Sequence, residues 1–542
     1  MSERVSASKA GSSLPSDGGP VVRVFPSRRT IRRLVNRVRI AATWVVIAGV
    51  SVAGVPAEVL AAPFYWDSDA SASGNNASTG AGLGGSGLWD TTTANWWDGV
   101  SVTNDNVWNN AGIDTAIFTG TGGTVSLGAA IVAGELDFNQ AGYTVADPSG
   151  FGLTLGGSAP TISVSSGVAA VVSAQLHGTN GLIIDGAGTL TLGNAANDYT
   201  GDTVLRGGSL RAWNDSNLGA TTGNVVFDGG TLQIAGFASN RTFNVSSSGT
   251  IDVSRNFTAM LPGAITGSGS LTKTGWGELR FLNNNTGFTG NLTVNSGVTR
   301  VFSYQGVPQV SYTGALNAAN SYTINSGGDF IADASGVTTS ISPDLLSDTA
   351  TISLRGGRIQ FASNNLNSGD FAFTETAGVV NLDSGASTIN VAHTATNSAS
   401  VFDLGALNQN SVGTTINFTN SGATGTLGLS GDNPRITFRT EPTLNDGIIG
   451  GWAVVNTNDF ASYISGQGVG ALSTSGFLGY SSTDLTTAGA TDNVIVTNTP
   501  SAAITSRTVN SLKWNALTNS TMMIASGNTL NIDSGGLLAV GN

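Results

Sequence analysis

Residues 178–208 read GTNGLIIDGAGTLTLGNAANDYTGDTVLRGG, and residues 267–297 repeat them as GSGSLTKTGWGELRFLNNNTGFTGNLTVNSG with no gap between the copies. Gly178, Leu182, Gly186, Gly188, Leu190, Asn194, Thr200, Gly201 and Gly208 return as Gly267, Leu271, Gly275, Gly277, Leu279, Asn283, Thr289, Gly290 and Gly297. Tyr199 becomes Phe288, and Leu192 becomes Phe281. What recurs is turn residues and apolar strand residues; no acid, base or nucleophile does. Self-similarity of this kind marks a stacked-repeat architecture.

The surrounding chain uses the same vocabulary. Runs such as TVSLG, FGLTLGG, ISVSSG, TLTLG and VVFDGGTLQI alternate apolar and polar residues and end in Gly, Asn or Asp. Alternation with period two is the mark of a strand with one buried face, and Gly supplies the positive φ of tight corners. Gly134, Gly156 and Gly178 are 22 residues apart, as are Gly186, Gly208 and Gly230. The 89-residue displacement between the long copies is close to four such steps. The fold expected is all-β: a parallel β-helix whose coil takes about 22 residues in two or three strands. Leu190, Leu192, Val204, Leu210, Val226, Leu232 and Ile234 are its expected inner face. Asn283-Asn284-Asn285 is expected to form amide ladders between coils.

Composition agrees and removes several function classes. Charged residues are 10% of the 542, Gly accounts for 75, and cysteine is absent, which excludes disulfides, thiolate metal sites and cysteine nucleophiles. The first 61 residues hold nine of the 22 Lys and Arg and three of the 34 Asp and Glu. That leaves 13 basic against 31 acidic residues, a net charge of −18, and no electrostatic footprint for nucleic acid.

The N-terminus reads as an export signal over 1–61: the basic block RRTIRRLVNRVR at 28–39, the apolar stretch 40–55, then Val59-Leu60-Ala61 as a cleavage site. Ser27-Arg28-Arg29-Thr30-Ile31 leaves twin-arginine and general secretion both open. After cleavage no transmembrane segment is expected.

Residues 62–114 form a tryptophan-rich opening, expected to cap the open end of a solenoid. Its Trp66, Trp89, Trp96 and Trp97 are also the candidates for stacking on sugar rings, so surface glycans or matrix are the expected partners. The β-helix is expected over 115–345, with its clearest repeats at 178–210 and 267–299. A degenerate continuation follows over 346–542, with an irregular insertion near 440–500. The chain stops in mid-pattern at GGLLAVGN, so a C-terminal continuation or a capping partner is expected.

The pattern G-x-G-x-L-x-[LF]-(x)6-[YF]-T-G-(x)6-G at 186–208 and 275–297 resembles the autotransporter-associated β-strand repeat. The opening, with Tyr65-Trp66-Asp67, Trp89-Asp90 and Asn95-Trp96-Trp97, is similar to the starts of large exported bacterial proteins that carry it. The resemblance implies a right-handed β-helix, exported to the cell surface or medium, serving as a passenger-like scaffold with a structural or adhesive role. One feature departs from autotransporters: the Gly- and Ser-rich tail lacks the long alternating strands of a membrane barrel.

Chemistry is sparse. The two histidines, His177 and His393, stand without G-x-S-x-G, H-E-x-x-H or a phosphate-binding loop. Both are read as turn or outward strand positions. Asp67-Ser68-Asp69-Ala70-Ser71 has Ala72 and Ser78 where a calcium loop needs Gly and Glu. No catalytic residue, metal or cofactor is expected. The competing reading is a carbohydrate-active β-helix enzyme or a carbohydrate-binding protein. The enzyme needs paired carboxylates along a groove, whereas Asp202, Asp215, Asp228 and Asp252 are dispersed, and Arg206, Arg211 and Arg241 are read as surface charge on adjacent coils.

Overall fold

Thr189-Leu190-Thr191-Leu192 shows how the sequence builds the fold. Leu190 and Leu192 are fully buried while the threonines between them face outward. Leu190 stacks on Ala170 below and Leu210 above; Leu192 stacks on Val172 and Ala212. Each coil therefore shelters the apolar side of the next, and each fully buried leucine contributes on the order of 1.5–3 kcal/mol. The computed structural model describes residues 61–540, apart from 104, 306–310, 337–343, 364–370, 394–397, 423–424, 501 and 516–520. The export signal read at 1–61 lies outside the described residues except for Ala61.

The stack is a parallel β-helix with three faces. A first face of ten strands begins with Pro63–Trp66 and ends with Ile265–Thr266. A second face of 14 strands runs from Gly87–Trp89 to Leu407–Gln409, and its 13 steps cover roughly 60 Å at about 4.8 Å per strand. The third begins as a three-stranded sheet (Ile131–Ala133, Leu153–Leu155, Leu176–His177). It resumes as an 11-stranded one from Thr258–Leu261 onward.

Between these two sheets the third side carries no strand. It is crossed by loops and a single 3-10 turn, Asp215–Leu218. Asn197 and Asn217 secure these loops from within. Asn197 accepts from Leu176 N–H (2.9 Å) and donates to Asn217 C=O (2.9 Å), and Asn217 donates to Asn194 C=O (2.8 Å).

Coil length is not constant. Leu182 pairs with Thr203, Thr203 with Val225, Val225 with Phe243 and Phe243 with Ile265, which gives coils of 21, 22, 18 and 22 residues. Four coils end at Ile265, six residues short of Leu271. The two long copies consequently occupy different faces. Leu182–Gly186 and Thr189–Leu192 lie on the first and second faces, whereas Ser270–Thr274 and Glu278–Phe281 lie on the second and third. The 89-residue displacement is four coils plus one face, not four coils alone.

Five of the seven residues expected inside are buried. Val204 and Val226 instead face outward, because Thr203 and Leu205, and Val225 and Phe227, take the inner positions. Thr203 is admitted to the core by hydrogen bonding with the Tyr199 hydroxyl (2.8 Å) and Leu218 C=O (3.3 Å). The asparagine run also differs from expectation. Asn285 accepts from Ile265 N–H (2.8 Å) and donates to Ala315 C=O (3.0 Å), and Asn283 donates to Pro262 C=O (2.9 Å), whereas Asn284 is exposed.

Both ends of the main stack turn antiparallel. Trp96–Trp97 runs antiparallel to Pro63–Trp66 at the start of the first face. At the far end of the third face, Ala453–Val455 pairs antiparallel with Asp459–Ile464, which pairs antiparallel with Gly468–Ala471. Beyond this hairpin, Asn493–Val496, Arg507–Trp514 and Leu530–Ala539 form a separate parallel sheet over its own small core of Leu485, Val494, Ile504 and Leu512. A buried pair, Lys513 Nζ to Asp459 Oδ2 at 3.4 Å, ties this sheet to the hairpin.

Candidate functional site

The four tryptophans considered for glycan contact lie inside the molecule. Trp66, Trp89 and Trp96 are fully buried and Trp97 is 6% exposed. Ring centroids of Trp66 and Trp96 are 5.2 Å apart, Trp89 and Trp96 4.9 Å, and Trp96 and Trp108 4.7 Å, in tilted or edge-on contact. Trp66 Nε1 donates to Gly85 C=O and Trp97 Nε1 to Ser101 C=O. Such contacts add about 0.5–1.5 kcal/mol per pair beyond area burial.

Beside this cluster, Asp67 and Asp105 bring two buried carboxyls together. Burial first, and then the Asp67 charge, pushes Asp105 up to about 7. The pair is sealed from solvent, so no sugar can enter between the two acids.

The histidines do not form a catalytic group. His177 Nδ1 lies 2.6 Å from Asp198 Oδ1 at the surface, and its other ring nitrogen rests against Gly152. His393, expected to face outward, is fully buried. Its Nδ1 is 2.8 Å from Ser400 Oγ, which also meets Ser363 Oγ. A serine–histidine contact with no path to solvent cannot reach a substrate. Arg241 is likewise buried rather than surface charge. Its guanidinium bonds Asp215 Oδ1 (3.0 Å) and the carbonyls of Asp215, Gly219, Ala220 and Gly223, stitching the loop of one coil to the next. Among the described residues no group of three or more acidic or histidine side chains gathers to hold a metal.

What the structure does leave in solvent is a corner of the coil. Arg211, Gln233, Asp252 and Thr274 form one outward column on the second face, in register on successive coils. Arg211 Nε donates to Gln233 Oε1 (3.1 Å) and Thr274 Oγ1 to Asp252 Oδ2 (2.8 Å). Just past the column the chain turns, and three large aromatics stand out at that turn: Trp213 is 50% exposed, Phe257 48% and Trp276 65%. Trp213 and the polar column line an open cleft of about 270 Å³. Phe257 rests on Gly236, and the six-membered ring of Trp276 on Gly327. Sequence reading missed Trp213 and Trp276. The available signal was that Trp276 stands between the turn glycines Gly275 and Gly277 and that Trp213 directly follows a strand.

A family model described as the passenger-associated-transport-repeat matches residues 182–212 and 271–301. The chain is an autotransporter-associated repeat protein. It is similar to the adhesin BmaC autotransporter of Brucella suis biovar 1 (strain 1330), with 32% identity over 439 residues, 77% of this chain. It spans 12% of that relative's length. No solved structure matches it.

Each passenger-associated repeat covers two coils, and the geometry explains what recurs in it. Gly186 and Gly275 hold φ of +87° and +74°, and a Cβ there would sit 2.0 and 2.1 Å from the carbonyl oxygens of Val164 and Val253 in the preceding coil. Asn194 and Asn283 each donate to a carbonyl 21 residues back. Tyr199 and Phe288 fill the core. Every recurrent position thus serves stacking.

Proposed function

We propose that the chain is an adhesive, non-catalytic segment of an exported cell-surface protein, a passenger-like β-helix that holds ligand-binding surface away from the cell. The observation that carries this reading is the continuous coil of passenger-associated repeats in a chain similar to an adhesin. The burial of Asp67, Asp105 and His393 supports it against the carbohydrate-active enzyme, since none of these groups is open to a substrate. Among the described residues no helix is long and apolar enough to cross a membrane. Surface glycans or matrix are the partners. The tryptophan-rich opening caps the first coil, its antiparallel Trp96–Trp97 strand closing the sheet edge.

The test is display of the chain on a non-adherent bacterium, with attachment to host cells and to immobilised matrix as the readout. Raised attachment, removed by protease shaving of intact cells, is the expected result. Release of reducing sugar from polysaccharides by the purified chain would favour the enzyme.

A further inference from the structure

We infer that the corner carrying Trp213 and Trp276 is an oligosaccharide-binding strip. The inference rests on the adhesive reading and gives it a site and a ligand class. Ala212, Ile234 and Val253 stack in register, and Asp252 pairs with Thr274. Trp213, Ala235, Ser254 and Trp276 therefore occupy the same place, one residue past or at the corner, on four successive coils. The two indoles start three coils apart, about 14 Å at about 4.8 Å per coil, with Phe257 exposed at the turn between them.

Aromatic rings of this size are normally buried. Here each of Phe257 and Trp276 is backed by a glycine and bared on its other side. A pyranose offers what such a strip lacks: an apolar face to lie on an indole and equatorial hydroxyls directed sideways. The sideways groups meet the column of Arg211, Gln233 and Asp252, which mixes donors and acceptors along the cleft beside Trp213. A purely apolar partner would leave that column desolvated without new hydrogen bonds. A nucleic acid would meet Asp252 in an acidic chain. The span suits an extended oligosaccharide of three or more sugars rather than a monosaccharide, whose single ring covers one aromatic.

The experiment uses the full chain and the variants Trp213→Ala and Trp276→Ala against an array of tri- to hexasaccharides, with titration calorimetry on the hits. Both tryptophans are at the surface, so circular dichroism and thermal midpoint stay as in the parent. The expected result is binding that weakens at least tenfold in each single variant and vanishes in the double one, with monosaccharides inactive throughout. Equal binding by the double variant overturns the site. So does host-cell attachment by the displayed chain that survives periodate oxidation of the target glycans, although adhesion itself then stands. Oligosaccharide binding through both tryptophans, without any attachment by the displayed chain, upholds the site and sinks the adhesive reading instead.

Discussion

Arg241 shows how a charge becomes part of the frame. All five guanidinium donors find oxygen acceptors on a loop that has no strand to hold it. Arg241→Met leaves those carbonyls and Asp215 without their donor and is expected to cost about 3–5 kcal/mol in urea unfolding. Arg241→Lys recovers little of that, since an ammonium cannot span the same fork. Lys273 is the opposite case. It occupies an inner position stacked between Ile251 and Val294, where Ile184 stands in the first repeat copy. Its amine reaches the corner carbonyls of Thr274, Gly275 and Ser296 at 2.8, 2.9 and 3.0 Å. Burial lowers its pKa to about 8. The unfolded chain then holds the proton more tightly than the folded one, so stability is expected to rise as pH climbs from about 8 to about 10.5. Thermal melts across that range check it. Lys273→Met removes the rise and leaves the midpoint at pH 7 unchanged or higher.

The element most open to pH is the N-terminal opening. Asp105 titrates near 7 in the folded chain, against about 3.9 when unfolded. A raised folded pKa means that the native state binds more protons in that window. The contribution is complete below about pH 4 and is lost as pH rises through about 7. Urea unfolding followed by emission of the adjoining tryptophans is therefore expected to show a more stable opening at pH 5 than at pH 8, by on the order of 2 kcal/mol. Asp105→Asn flattens the difference. None of this pairing was legible in the sequence, because Asp67 and Asp105 are brought together only by the path of the loops between them. The short strands were legible, since alternation in TLTL or TLQI needs only period two to be recognised. The tryptophans were read by type alone. Trp89 and Trp213 look alike in a sequence, and only the position relative to strand and corner separates a core ring from an exposed one.

At the scale of the whole coil, the coil length was legible and its phase was not. Glycine spacing gives about 22 residues, but one coil of 18 is enough to move a motif off its face. Because each coil contacts chiefly its neighbours, stability is close to a sum of coil and interface terms. Deleting residues 161–182, one full coil from Thr161 to the residue before its register partner Ile183, is expected to leave a folded β-helix, shorter by one step. Deleting only 161–171 puts the remaining strands on the wrong faces and is expected to abolish the cooperative melt and protease resistance. Circular dichroism and limited trypsinolysis distinguish the two.

The six residues that separate Ile265 from Leu271 reach beyond this pair of repeats. An 89-residue block that advances one side of a triangular prism with each copy would climb like a spiral staircase. Three copies in tandem would turn the same decorated edge toward every compass direction, so a surface met from any side would find a tread facing it.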